Sequence, residues 1–476
     1  MFFIINIFSA LFKPLRALLK SLRTEQTSSS TLGSGNVRKL LSQYSIPAII
    51  AMTASSLYNM TDSIFIGQGV GPLAIAGLAV TFPFMNLAAA FGSLVGIGAS
   101  TLISIKLGQK DHKSANLVLG NVLTLNIILG LLLTLVCLPF LDPILYFFGA
   151  SKDTVSYAHD YMEIVILGNV ITHIYFGLNA ALRSAGFPTM SMFATLLSVV
   201  VNCILTPVFI FWFHWGIRGA AWATILSQVI SLILQLVMFS NKKHVIYFHK
   251  GIYQLRKELV KNIFSIGLSP FLMNGCACII VIIINRGLSK YGGDFAIGAY
   301  GIVNRIVFLF IMIIMGFNQG MQPIAGYNYG ARNFLRVTEV TKLTILYAVG
   351  IATAGFLVCE IVPGLIIRLF TTHQELINES IYGLRIVFAI FPLVGFQMVA
   401  TNFFMSIGAS RKAIFLSLTR QVLFLTPCLL ILPGFWGTTG IWLSLPISDF
   451  VSTVFTAILL IREFKKFKTL TITNRR

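Results

Sequence analysis

Asp62 is a carboxylate inside an otherwise uncharged run, Tyr44 to Ile66. That run is long enough to cross a bilayer, which takes about 20 predominantly apolar residues. An acid there costs about 2.5–3.5 kcal/mol on insertion scales, so it normally has a partner or a task. The task that suits it is taking up and releasing a proton or a small cation; the structural alternative is capping the broken turn at Gly67. Asn202 and Thr206, four apart in another apolar stretch, face one side of a helix. Arg420 and Asp449 lie about midway along two consecutive apolar stretches. Each charge is costly alone at membrane depth, and at about 1.5 Å per residue from the joining turn they come within reach of one another. A structural ion pair Arg420–Asp449 is therefore expected, leaving neither charge free for transport.

Enzyme chemistry finds little support. The His residues at 112, 159, 173, 214, 244, 249 and 373 are scattered, and no nucleophile elbow or nucleotide loop is present. All six cysteines (Cys137, Cys203, Cys276, Cys278, Cys359 and Cys428) sit in apolar stretches, where packing is a better reading than metal binding. No cofactor is implied, and no metal site.

The elements that must position these residues are membrane helices. The chain has 476 residues, 56% hydrophobic and 11% charged, whereas soluble domains carry about 25% charged residues. Twelve spans are read at 42–66, 73–105, 115–140, 157–182, 188–212, 217–239, 260–285, 295–325, 340–366, 381–406, 412–433 and 438–461. The net charge of +20 does not point to nucleic acid, because the bases fall between spans and not in a stripe. With a cytoplasmic N-terminus, 27 of the 35 Lys and Arg lie on that side, Arg183 among them in the connection after the fourth span. Both termini are expected in the cytoplasm. Met1 to Phe12, followed by Lys13, Arg16, Lys20 and Arg23, reads as an amphipathic surface helix, and Thr27 to Gly35 as a mobile linker.

The spans repeat. Pro47 and Pro270, Gly108 and Gly330, Gly186 and Gly408, Leu205-Thr206-Pro207 and Leu425-Thr426-Pro427, and Gly216 and Gly437 all recur at offsets of 220 to 223 residues. Six spans per copy return the chain to its starting side, so the copies share an orientation and enclose a central cleft. The expected organisation is an N-terminal segment 1–40, an N-lobe 41–240, a basic linker 241–261, a C-lobe 262–462 and a basic tail 463–476. At the 223 offset Asp62 is matched by Asn285. Gly92, Gly96, Ser100 and Ser104 make a small-residue ridge on the second span, suited to close helix packing.

Several passages resemble the multidrug and toxic compound extrusion (MATE) transporters, most closely their MepA-like bacterial branch. They are Ser45-Ile46-Pro47, Asp62 to Gly67, Val80-Thr81-Phe82-Pro83, Gly96 to Ala99, Phe148 to Ser151 and Leu369 to Thr372. The resemblance runs over residues 40–460. It implies an all-α, two-lobed exporter of organic cations driven by inward H+ or Na+ flux, acting as a monomer in a bacterial plasma (inner) membrane. It also implies a cation site from Asp62, Asn202, Thr206 and Thr224. Many members carry aspartate where this chain has Thr206, which weakens the case for sodium. No acid stands in Gly275-Cys276-Ala277-Cys278, where some members place a glutamate. Tyr58, Phe82, Phe84, Met85, Met315 and Phe396 could form an adaptable cleft wall, with Gln319 and Gln322 as polar contacts. The competing readings are a lipid-linked oligosaccharide flippase on the same plan and an integral membrane enzyme.

Overall fold

The computed structural model describes residues 31–473. The segment read as a surface helix and the first four residues of the Ser/Thr linker, 27–30, lie outside them. The described residues form helices and no strand. Hydrocarbon demands this, since a backbone out of reach of water must satisfy its own N–H and C=O groups.

The spans are α1 Val37–Gly69, α2 Pro72–Gly108, α3 His112–Cys137, α4 Val155–Leu167 with Asn169–Ser184, α5 Pro188–Trp212 and α6 Gly216–Phe239. They continue as α7 Lys257–Gly293, α8 Phe295–Gly330, α9 Phe334–Ile361 and α10 Gln374–Phe388 with Phe391–Ser406. The last helical run turns at Gly437 and supplies α11 (410–436) and α12 (438–472). Gly71, at φ +121°, ends the first hairpin, and Pro72 opens α2 at a position where its missing N–H costs nothing.

The repeat is written in the backbone. Gly71 and Gly293, Gly186 and Gly408, and Gly216 and Gly437 are matched positions with positive φ, as are Lys110 and Arg332. The fourth span of each lobe is bent, α4 by 56° and α10 by 51°. The fifth span of each contains a π-helical stretch beside the repeated Leu-Thr-Pro, Val208–Trp212 and Thr419–Leu425. Such widened turns are frequent at functional sites.

The ridge on α2 packs against α4, with Gly92 on the His173 ring, Gly96 on Gly177, and Ser100 Oγ 2.6 Å from Ser184 Oγ. The lobes meet at the end that carries the α2–α3 and α8–α9 turns. A methyl group on Gly108 would strike the Tyr327 carbonyl, and one on Gly330 the Ile105 carbonyl. Gly98 lies against Ile263, Gly267 against Leu94, Gly316 against Ile49 and Gly320 against Ser45 in the same way. Helix backbones come this close only where side chains are absent or small. Gly275 and Gly301, further along α7 and α8, have nothing within 4 Å. The cleft is thus sealed at one end.

The last residues of the supposed mobile linker are anchored. Thr31–Ser34 forms a helical turn whose Leu32 is buried with C-lobe core residues such as Met321 and Val337. Arg336 donates to the carbonyls of Leu32 (3.3 Å) and Gly35 (2.6 Å), and Asn328 Nδ2 to that of Leu32 (2.9 Å). A buried leucine and three hydrogen bonds order a stretch whose composition alone reads as flexible.

Candidate functional site

Asp62 lies in α1 at 6% exposure, and none of the ion pairs among the described residues includes it. A buried acid without a basic neighbour must be held by hydrogen bonds or stay neutral. The Thr206 hydroxyl lies 3.1 Å from Asp62 Oδ1 and 3.0 Å from Asn202 Oδ1, so its single proton has two acceptors. Asn202 Nδ2 donates to Thr224 Oγ1 at 3.2 Å. Thr224 spends its own proton on the Ala220 carbonyl, so the Tyr58 hydroxyl, 2.9 Å away, donates to it. Asp62, Thr206, Asn202, Thr224 and Tyr58 therefore form one chain across α1, α5 and α6.

The helical period explains who takes part. Tyr58 and Asp62 are one turn apart on α1, and Asn202 and Thr206 one turn apart on α5. Tyr58, read as part of the cleft wall, belongs to this cluster. Tyr161 of α4 is buried close enough to Asp62 and Thr224 to interact with both, and sequence reasoning missed it. Its position depends on the bend of α4, which no local pattern announces.

A cavity of about 340 Å³ lies between the lobes, lined from α2, α4, α7, α8, α10 and α11. Met315, Gln319 and Gln322 are on its wall. Gln322 Nε2 also donates to Thr101 Oγ1 at 2.7 Å, and Gln319 Nε2 lies 3.1 Å from Met52 Sδ. Four other residues expected on this wall sit elsewhere. Phe84 is buried beside Phe148 in the N-lobe core, with Met85 packed against the same cluster. Phe396 packs on the C-lobe core, and Phe82 is 63% exposed. Successive helical residues diverge by about 100°, so Phe82 and Phe84, two apart, point to nearly opposite faces.

The cavity also holds a residue assigned from sequence to a connection. Arg183 lies in the last turn of α4 and lines the cavity. The signal was Gly186, whose φ of +98° marks the stop just beyond the helix. On the C-lobe side Arg420 Nε stands 2.6 Å from Asp449 Oδ1, joining α11 to α12, and Arg420 is on the cavity wall as well. Among the described residues no group of three or more His, Cys, Asp or Glu could hold a metal ion.

Two passages of the chain, residues 47–208 and 265–430, match the MatE family model. The protein belongs to the MatE family. It is 30% identical over 416 residues to the multidrug export protein MepA of Staphylococcus haemolyticus (strain JCSC1435), covering 87% of this chain and 91% of that one. MepA of Staphylococcus aureus (strain MSSA476) is 31% identical over 417 residues, with the same coverage. An outward-facing multidrug resistance MATE transporter of the MOP superfamily superposes with a TM-score of 0.88 at 26% identity, over 93% of this chain and 99% of that one. The MATE multidrug transporter DinF-BH gives 0.84 at 34% identity over 90% and 96%. The chain is therefore a multi-pass membrane transporter of a bacterial multidrug export family, not an enzyme, with small molecules as its substrates and no cofactor beyond an ion that couples transport.

Proposed function

We infer that the protein is a proton-driven antiporter that expels amphipathic organic molecules, with Asp62 as the group that takes up the incoming proton. One observation carries this reading: a buried carboxylate without a basic partner, bonded to a hydroxyl that suits either charge state. Ionised Asp62 accepts from Thr206. Protonated Asp62 can donate to Thr206 Oγ1, and the Thr206 proton then goes to Asn202 Oδ1. Because the chain continues to Thr224 and Tyr58, proton uptake re-weights contacts among three helices of the N-lobe, and so the balance between conformations. Sodium is the alternative coupling ion. Asp62, Asn202, Thr206 and Thr224 offer it oxygens, but a single carboxylate gives it little charge.

The sealed end carries the basic turns, and that charge bias supports a cytoplasmic side for it and for both termini. The structure then faces outward, and lobes 41–240 and 262–462 rock about the linker 241–261 as a monomer in the bacterial plasma membrane. Met273, Met315, Met398 and Met405 supply an adaptable apolar wall for flat molecules. Amphipathic molecules would rest on that surface and on the amide groups of Asn402 and Gln421. The test is dye efflux from reconstituted vesicles with proton and sodium gradients imposed separately. The proton gradient alone should drive efflux. Drive by sodium alone, at clamped pH, would overturn proton coupling.

A further inference from the structure

The interlobe cavity carries charge of the sign opposite to that of a cation-binding pocket. Arg183 enters it from the N-lobe and Arg420 from the C-lobe, and no acid among the described residues lines it. Arg420 is matched by Asp449. Arg183 is not. Its Nη1 donates to Asn179 Oδ1 at 2.5 Å and to Ser191 Oγ at 2.9 Å, both neutral, and it is in none of the ion pairs among the described residues. Those two bonds orient a planar guanidinium through one nitrogen and leave Nε and Nη2 for another acceptor. The charge is not a relic of the repeat, because the matched residue 222 positions on is Met405, also on the wall. A neutral donor would hold Asn179 and Ser191 without the cost of a half-buried charge. Asn402 and Gln421 add further donors around the same space, and Met315 and Met405 supply apolar surface.

Resting on the export reading above, we propose that this cavity selects amphipathic solutes that bear a carboxylate. The carboxylate binds Arg183 through charge-assisted hydrogen bonds, and the apolar body lies on the methionine wall. Arg420, already balanced by Asp449, adds donors without adding net charge.

Three probes with one skeleton test this: 4-(1-pyrenyl)butyrate, 4-(1-pyrenyl)butanol and 4-(1-pyrenyl)butyltrimethylammonium. Their affinities for the full-length protein in nanodiscs are measured by titration calorimetry at pH 7, with empty nanodiscs subtracted. The carboxylate should bind about tenfold or more tighter than the alcohol, the scale of one charge-assisted hydrogen bond. The ammonium should bind weakest. Arg183→Gln should bring the carboxylate-to-alcohol ratio near one, and Arg183→Lys should keep part of it. A purely structural Arg183 would change all three affinities alike, which overturns the proposal. So does a wild-type ranking with the ammonium first, and that ranking decides the matter alone if Arg183→Gln does not fold. No gradient is present, so a failure of proton coupling at Asp62 leaves this ranking untouched. A wrong ranking, in turn, leaves gradient-driven efflux to stand or fall separately.

Discussion

The two lobes share a backbone plan and differ in what they do with charge. Both have the same left-handed turns, a bent fourth span and a π-helical stretch in the fifth. In the N-lobe a buried carboxylate accepts from a hydroxyl, that of Thr206. In the C-lobe its matched position is Asn285, and the membrane-depth acid Asp449 is bound to Arg420. A helical frame tolerates either arrangement because its own hydrogen bonds are satisfied internally. Chemistry is therefore decided by single side chains placed on an indifferent scaffold. The N-lobe acid is in none of the ion pairs among the described residues, whereas the C-lobe acid is tied to a guanidinium that joins α11 to α12. On the proposed coupling role of Asp62, one lobe responds and the other holds still.

The strongest way to break this comparison is to exchange the matched residues. Asp62→Asn should abolish proton-driven efflux from reconstituted vesicles while leaving expression and detergent melting near wild type. Asn285→Asp on that background should not restore it, because the Thr206–Asn202–Thr224 chain exists in the N-lobe. Wild-type efflux by Asp62→Asn, or rescue by Asn285→Asp, would show the lobes to be interchangeable.

The next largest effect tests the C-lobe as scaffold. Arg420→Met or Asp449→Leu alone strands a charge, which in a fully buried pair costs about 3–5 kcal/mol. With Arg420 30% and Asp449 14% exposed, a loss of about 2–3 kcal/mol is expected after discounting for solvent. The double variant should lose less than either single one. Melting of detergent-solubilised protein across the four-member cycle measures this, and strictly additive losses would release Asp449 as a second candidate for the coupling site.

The seal sharpens the comparison, because here the lobes act alike. Gly108→Ala and Gly330→Ala each push a methyl group onto a carbonyl of the other lobe, Tyr327 or Ile105. Both should shift the population toward an opening at the basic end, by similar amounts. The readout is the distance between spin labels at 110 and 332. Gly350→Ala, with nothing within 4 Å, serves as the control and should raise α9 stability by up to about 1 kcal/mol. A shift in only one of the two seal variants would mean that the crossing is not symmetric.

How far all this was legible depends on the kind of signal. Spans and repeats follow from apolar length and from glycine and proline spacing, which are local and survive without tertiary knowledge. Asp62 stood out because a lone acid in an apolar run is costly wherever the helix packs. Asn202 and Thr206 share a face by period alone, whereas Thr224 entered through resemblance. Arg183 was misplaced because the fourth span was ended two residues short of Ser184, enough to exchange a surface for a cavity wall. The aromatic wall failed for another reason. Phe82, Phe84 and Phe396 are three of 40 phenylalanines, and which face of a membrane helix meets lipid, core or cleft is set by neighbours that composition does not name.

The smallest expected effect lies at a pair of corners that look identical. Asp111 and Asn333, 222 residues apart, precede α3 and α9 with nearly the same backbone, φ −86° and ψ 72° against φ −89° and ψ 70°. Asp111 Oδ1 accepts from the Ser114 N–H at 3.0 Å, and Lys106 Nζ lies 3.4 Å from Oδ2. Asn333 makes no side-chain cap. Replacing a working cap by alanine costs about 0.5–2 kcal/mol, so Asp111→Ala should lower stability toward the small end of that range, the site being partly exposed. Asn333→Ala should change it less. The acid adds a pH signature that the amide cannot. Partial burial raises the Asp111 pKa, but the hydrogen bonds from Ser114 and the charge of Lys106 outweigh it and hold the carboxyl below its usual range. A lowered folded-state pKa means that the stabilisation is complete above the unfolded value, about 3.9 for aspartate, and is lost as pH falls through the folded value. The melting difference between wild type and Asp111→Asn should therefore be constant from pH 7 to about 5 and shrink below about 4. The same scan on Asn333→Asp asks whether the corner itself makes the cap. A new pH-dependent gain there would show that the frame alone suffices, and a flat response would assign the difference to Ser114 and Lys106.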